Sequence, residues 1–93
     1  DVQNRIQGAI YIQRAADKGD MKSQYQMGKI YEVGYESYYS VLDEKSLKYY
    51  RLAASQGHTL AISRMITVYQ EGQLGEESNL AEVKHWQSLQ PAL

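Results

Sequence analysis

The chain has 93 residues, 43% hydrophobic and 23% charged, the proportions of one small globular domain. Ten basic and 11 acidic residues interleave to a net charge of −1, so the basic block or stripe of a nucleic-acid binder is absent. There are no cysteines, which excludes disulfides, thiolate metal sites and cysteine nucleophiles, and no apolar run reaches the roughly 18 residues that cross a bilayer.

The composition has one bias, nine Tyr and one Trp against no Phe. A tyrosine hydroxyl must find a partner when buried, so such a chain favours half-buried positions in grooves and at element edges. The first residue is Asp1 rather than Met, which is read as a processed product or an excised piece with any targeting segment removed.

Residues 2–17 read as a first helix, with Val2, Ile6, Ala9, Ile10, Ile12 and Ala16 at spacings of three and four on one broad stripe. Gly19 suits the left-handed position past a helix end, and Asp20 caps the next helix. That second helix runs from about Met21 to Val33, turns Met27, Ile30 and Tyr31 inward, and contains Gly28. A glycine inside a helix costs about 0.8–1 kcal/mol against alanine, so its presence predicts the close approach of another helix. Gly34 ends this helix, and residues 34–42 form a long connection before a third helix capped by Ser40 or Asp43. The third helix, Asp43 to Ser55, presents Leu47, Tyr50, Ala53 and Ala54. Gly57 repeats the role of Gly19, and a fourth helix from about Thr59 to Glu71 faces inward with Ile62, Met65, Ile66 and Tyr69. After a turn at residues 72–75, Asn79 and Glu82 form a capping-box pair. The last helix, about Leu80 to Gln90, carries Leu80, Val83, Trp86 and Leu89 and closes at Pro91. No stretch alternates cleanly at period two, so strands are not expected.

Two stretches of this string are copies. Ala15/Ala53, Ala16/Ala54, Gly19/Gly57, Met27/Met65, Tyr31/Tyr69 and Gly34/Gly72 are each 38 positions apart, and Tyr49 corresponds to Trp86 at 37. A period of about 20–50 residues marks a stacked repeat. The first helix matches the second helix of a repeat, with Tyr11 against Tyr49 and Gly8 against Ser46. The chain therefore reads as half a repeat followed by two, in segments 2–19, 20–57 and 58–93. The expected fold is all-α, an α/α superhelix (solenoid) of about two and a half helix-turn-helix repeats with five helices. Repeat arrays rely on polar caps, so the apolar Val2, Ile6 and Ile10 predict an uncovered N-terminal edge that self-associates or lacks a preceding segment.

Catalytic and metal chemistry finds no footing in the motifs. His58, in a short turn, is read as a turn or cap residue, and His85 as a surface histidine on the charged side of its helix. HExxH, GxSxG, GxGxxG and Walker-type loops are absent. Asp43-Glu44 and Glu76-Glu77 stand at helix starts, where they complement the dipole. With no convergent polar set, neither an enzyme nor a cofactor is expected. Tyr35, Tyr38 and Tyr39 in the long connection read in two ways. They are exposed anchors for a partner, or rings that pack over the helices and tie the loop down.

Tyr49-Tyr50-Arg51-Leu52-Ala53-Ala54-Ser55-Gln56-Gly57-His58 and Ala15-Ala16-Asp17-Lys18-Gly19-Asp20 look like one conserved kind of junction, W-Y-x-x-A-A-x-x-G-H/D. Gln24-Tyr25-Gln26-Met27-Gly28-Lys29-Ile30-Tyr31 looks like the first helix that goes with it, and Ala81-Glu82-Val83-Lys84-His85-Trp86 like the second. Together they resemble the Sel-one-like repeat family, relatives of the tetratricopeptide helical repeats, over nearly the whole chain. Of the family's G-x-G-V loop only the first glycine stands at Gly34, and Ile66 takes the place that Gly28 has in the first copy. The resemblance implies a non-catalytic protein–protein interaction module, a bacterial adaptor or scaffold, exported or periplasmic rather than cytoplasmic. A pointed version of the same implication is an immunity-type protein that blocks a secreted toxin. The resemblance also implies a concave groove lined by the first helix of each pair. It places Lys22, Tyr25, Gln26, Lys29 and Glu32 there from one copy, and Ser63, Arg64, Thr67 and Gln70 from the next. A merely solvated polar face is the other reading of those residues. The expected partner is another protein or peptide, held by this groove or by the loop of Tyr35, Tyr38 and Tyr39, with no nucleic acid and no membrane insertion. The alternative is a carbohydrate or cell-wall binding module, because Tyr and Trp faces stack on sugar rings.

Overall fold

A computed structural model describes residues 1–92 as five helices. They are α1 (Val2–Asp17), α2 (Met21–Val33), α3 (Asp43–Ser55), α4 (Thr59–Glu71) and α5 (Leu80–Gln87). Among the described residues there is no strand, only a lone antiparallel bridge between Tyr35 and Tyr39. The protein is all-α, as the periodicity predicts. Each helix packs against its neighbour in sequence, and the body measures 42 × 25 × 19 Å. A 13-residue helix is about 20 Å long, which matches the two shorter dimensions. The helices therefore lie across the long axis as successive antiparallel hairpins.

Local chemistry sets where the helices begin. The Asp20 carboxylate accepts from the Ser23 amide at 2.9 Å and from the Ser23 hydroxyl at 2.6 Å, capping α2. At the matching place in the next junction, His58 Nδ1 accepts from the Ala61 amide at 3.2 Å. The start of α3 departs from expectation, since neither Ser40 nor Asp43 caps it. Leu42 holds the cap position with no side-chain acceptor, because its amide is committed to the Tyr31 carbonyl at 2.8 Å. The second long loop closes in the same way, with the Asn79 amide on the Tyr69 carbonyl at 2.9 Å. Asn79 also caps α5 by accepting from the Glu82 amide at 3.1 Å. The Glu82 carboxylate does not complete the box; it accepts a hydrogen bond from Trp86 Nε1–H at 3.0 Å. Helix α5 stops at Gln87 rather than Gln90. Beyond it the Leu89 and Gln90 amides bond to the carbonyls three residues back, a tighter turn than α-helix. Leu89 beyond the helix (40% exposed) and Leu80 in its first turn (68%) face solvent instead of the core.

Two clusters make up the core. Ala9, Ala16, Met27, Tyr31, Tyr39 and Tyr49 join α1, α2, the first long loop and α3. The second runs from α3 through α4 to Val83 and Trp86 of α5. The Ala pairs expected at the junctions permit the approach, with Ala16, Ala53 and Ala54 almost completely buried. Where α2 meets α3, Gly28 lies directly under the Tyr50 ring, and a Cβ there would stand 2.6 Å from a ring carbon. The Ser46 hydroxyl donates to the Gly28 carbonyl at 2.6 Å and fixes the same contact from the backbone side. The glycine is kept for this approach, in spite of its propensity cost.

Gly28→Ala is therefore expected to destabilise the fold. Overpacking costs about 1–3 kcal/mol, more than the roughly 1 kcal/mol that alanine returns in helix propensity. Urea unfolding should show the loss in the native background and its disappearance when Tyr50 is also replaced by Leu. An unchanged midpoint for Gly28→Ala alone would contradict this packing.

Candidate functional site

Helices α2 and α4 lie on the same side of α3, and the residues expected to line a concave groove divide there into two sets. Three of them hold the helices together. Arg64 donates to both Glu32 oxygens, from Nε at 3.1 Å and Nη2 at 2.8 Å, and its Nη1 reaches Gln73 Oε1 in the second long loop at 2.6 Å. The Tyr50 hydroxyl donates to the same Glu32 carboxylate at 2.7 Å. Tyr25 stacks on His58 at 4.7 Å, leans on the Tyr50 ring at 5.6 Å, and carries the Lys29 ammonium 5.6 Å from its own ring centre. Lys22, Gln26, Lys29, Ser63 and Gln70 stay exposed, and Thr67 is half-buried with its hydroxyl donating to the Ser63 carbonyl.

The Tyr-rich loop also divides. Tyr39 is 4% exposed, edge-on to Tyr31, and donates to Gln13 Oε1 at 2.7 Å, so it ties the loop to the core and offers no surface to a partner. Tyr35 is half-buried against the same cluster. Tyr38 alone projects, at 57% exposure. Glu36 takes the turn with φ of 50° and meets Arg5 Nε at 2.6 Å, and Leu74 holds the equivalent place in the second loop with φ of 54°.

One place gathers residues from both sets. An open groove of about 350 Å³ runs between α1 and α2. Its α2 wall is Gln26, Lys29 and Ile30, and Tyr35 closes one end. Its α1 wall is Arg5, Gly8, Ala9 and Ile12. The groove thus contains three residues of the expected surface, Gln26, Lys29 and Tyr35, together with α1 residues the motif reasoning did not single out. Of the apolar edge expected at Val2, Ile6 and Ile10, Val2 is 43% exposed. Ile6 is buried at 8% and Ile10 is half-buried, as is Ile12, which lines the groove with Gly8; Tyr11 is 65% exposed. The one-turn spacing of Gly8 and Ile12, with Gly8 aligned to Ser46, carried the signal for this groove.

The one carboxylate expected on the α2/α4 face, Glu32, is paired with Arg64. Burial pushes the Glu32 carboxyl up, but the hydrogen bonds from Arg64 and Tyr50 and the guanidinium charge outweigh it and hold the group below its ordinary value. The Tyr50 phenol is raised by burial and then by its bond to Glu32. Tyr49, buried and bonded to Asp17, is pushed up to about 12. Among the described residues no group of three His, Asp or Glu side chains could hold a metal ion, and no helix is long and apolar enough to cross a membrane. His58 is used as a helix cap, and His85 lies edge-on against Trp86 at 4.7 Å. Comparison with protein-family models, with curated proteins and with solved structures finds no match to the chain.

A carboxyl whose value falls on folding adds stability above its unfolded value, here near 4.5, and loses it as the pH drops through the folded value. Glu32→Gln should therefore weaken the protein at neutral pH while making its stability less sensitive to acid between about pH 5 and about pH 3. Urea midpoints across that range provide the check, and parallel curves for the two proteins would contradict the Glu32–Arg64–Tyr50 arrangement.

Proposed function

We propose that the chain is a non-catalytic helical-repeat module of the Sel-one-like kind, divided at 19/20 and 57/58, that binds another protein. The observation that carries this reading is the open, mostly apolar groove between α1 and α2, where Gln26, Lys29 and Tyr35 meet Gly8 and Ile12. A groove open along its length, with an apolar floor and a polar rim, suits a protein surface better than a small solute, which is mostly enclosed by its site. Lys22, Ser63 and Gln70 are also exposed but lie outside this groove, Ser63 and Gln70 bordering separate depressions toward α5 and the C-terminal turn.

The repeat assignment has its own support. Junction caps recur at Asp20 and His58, loop-closing bonds recur on the Tyr31 and Tyr69 carbonyls, and left-handed residues recur at Glu36 and Leu74. Glu36 stands where the family loop has its second glycine, so the backbone shape of that loop is kept without the residue that makes it easy. An adaptor or scaffold role, an immunity-type role and an exported location belong to the same proposal. The carbohydrate alternative is less well supported. Trp86 is 3% exposed with its Nε1–H donating to Glu82, and Tyr39, Tyr49, Tyr50 and Tyr69 are buried, which leaves Tyr11 and Tyr38, on separate elements, as the well-exposed rings.

A photo-crosslinking side chain placed at Gln26 or at Gln70, in the full chain added to a source extract, should form discrete protein adducts. The same group at the exposed Lys48 of α3 should form none. Adducts at Lys48 alone, or at none of the three positions, would contradict the proposed binding face.

A further inference from the structure

The seat that α2 takes on α3 and α4 is made by three contacts described above. Ser46 holds the Gly28 carbonyl, the Tyr50 ring lies against Gly28, and Arg64 clamps Glu32. The residues 38 positions before Ser46, Tyr50 and Arg64 are Gly8, Ile12 and Gln26, and all three line the α1/α2 groove. A fourth correspondence points the same way. Tyr49 is 4% exposed, stacked on Tyr31 at 5.9 Å, whereas its counterpart Tyr11 is 65% exposed. The groove is thus shaped by the same repeat that shapes a helix seat one module further along.

The differences between the two seats define what fits the open one. Gly8 in place of Ser46 removes the hydroxyl that gripped a backbone carbonyl, and a Cβ on Gly8 would meet nothing within 4 Å. Ile12 in place of Tyr50 shortens the wall that forced a glycine on α2. An occupying helix therefore has room for a Leu or Ile where α2 has Gly28. Polar selection comes from charge. Of the two charged residues lining the groove, Arg5 is already paired with Glu36 at 2.6 Å, which leaves the Lys29 ammonium as the cation that selects a partner. A carboxylate placed as Glu32 is placed on α2 would meet the Gln26 amide, with the Lys29 ammonium one turn along the same wall.

We infer that the α1/α2 groove is a docking site for an acidic amphipathic α-helix of a partner protein, seated as α2 is seated on α3 and α4. The helix carries a Leu/Ile stripe against Gly8, Ala9, Ile12 and Ile30, and Glu or Asp residues against Gln26 and Lys29. This inference rests on the reading of the chain as a protein-binding module and adds the chemistry of what it binds.

The test uses the full chain and two fluorescein-labelled, helix-stapled peptides of about 15 residues, enough for a helix of α2's length. Both carry Leu at successive turns; one has Glu on the flanks and the other has Lys there. The acidic peptide is expected to bind, and the basic one at least about tenfold more weakly in low salt, with the difference shrinking as salt is added. Amide shifts on binding should centre on Gly8, Ile12 and Ile30. Gly8→Leu fills the groove with a better helix former and should weaken acidic-peptide binding at least about tenfold with the circular dichroism unchanged. The surface variant Lys29→Glu should reverse the peptide preference. Binding of neither peptide, equal binding of both, shifts centred on Ser63 and Gln70, or a dimer of the chain that Gly8→Leu dissociates would each overturn the inference. Loss of peptide binding with protein adducts retained at Gln26 or Gln70 would leave the protein-binding reading standing, and loss of both would remove it as well.

Discussion

Tyr50 is the contact on which the rest of the molecule depends. It belongs to α3, yet its ring rests on the bare Cα of Gly28 in α2 and its hydroxyl donates to Glu32 on the same helix. The Arg64 guanidinium of α4 lies 5.7 Å from the ring centre and grips Glu32 at the same time. One side chain thus joins three helices by packing, by a hydrogen bond and by a cation over its face. A Phe would supply the packing and the cation contact but leave the Glu32 carboxylate short of a donor, in a position where burial makes that costly. The same logic explains the Tyr bias of the whole chain. Tyr39, Tyr49 and Tyr69 are likewise buried rings whose hydroxyls reach a polar group on another element, Gln13, Asp17 and Glu76 respectively. In a stack only about two helices thick, buried rings end near the surface, and a polar tip at that end serves as the fastener between neighbours.

How much of this was legible follows from what each signal reports. Apolar spacing reports one helix at a time, so the bounds of α1 to α4 follow from Ile6, Met27, Tyr50 and Met65 and their periods. The junctions were legible for the same reason, since Asp20 and His58 act on their own helix within three residues. Gly28 was legible as an anomaly: its cost in a helix required a neighbour, and the neighbour is Tyr50. Features made between helices were not legible. Glu32 and Arg64 are 32 residues apart, and nothing in either local pattern distinguishes a surface charge from half of a buried clamp. Leu42 as a cap was hidden because its amide bonds to Tyr31 across the loop rather than to its own helix. The left-handed turns at Glu36 and Leu74 were hidden because neither residue type favours that geometry.

The clamp also separates scaffold from surface in the candidate site. Tyr25, Glu32 and Arg64, which a groove model would offer to a ligand, are spent on holding α2 to α4, and replacing them would report on folding before it reported on binding. The proposed binding surface lies along α1 and the outer edge of α2. There the repeat positions that make a seat elsewhere remain accessible, with small and aliphatic residues in place of the Ser, Tyr and Arg that lock α2. The two seats share a backbone arrangement and differ at the few positions where the copies differ.

The claim that Tyr50 binds three helices into one cooperative unit is tested most directly by native-state hydrogen exchange. The slowest amides of α2, α3 and α4 should share a single opening free energy and be lowered together by Tyr50→Phe, with α1 and α5 opening at lower cost. Opening of α2 independently of α3 and α4, or a loss confined to α3 in the variant, would contradict it.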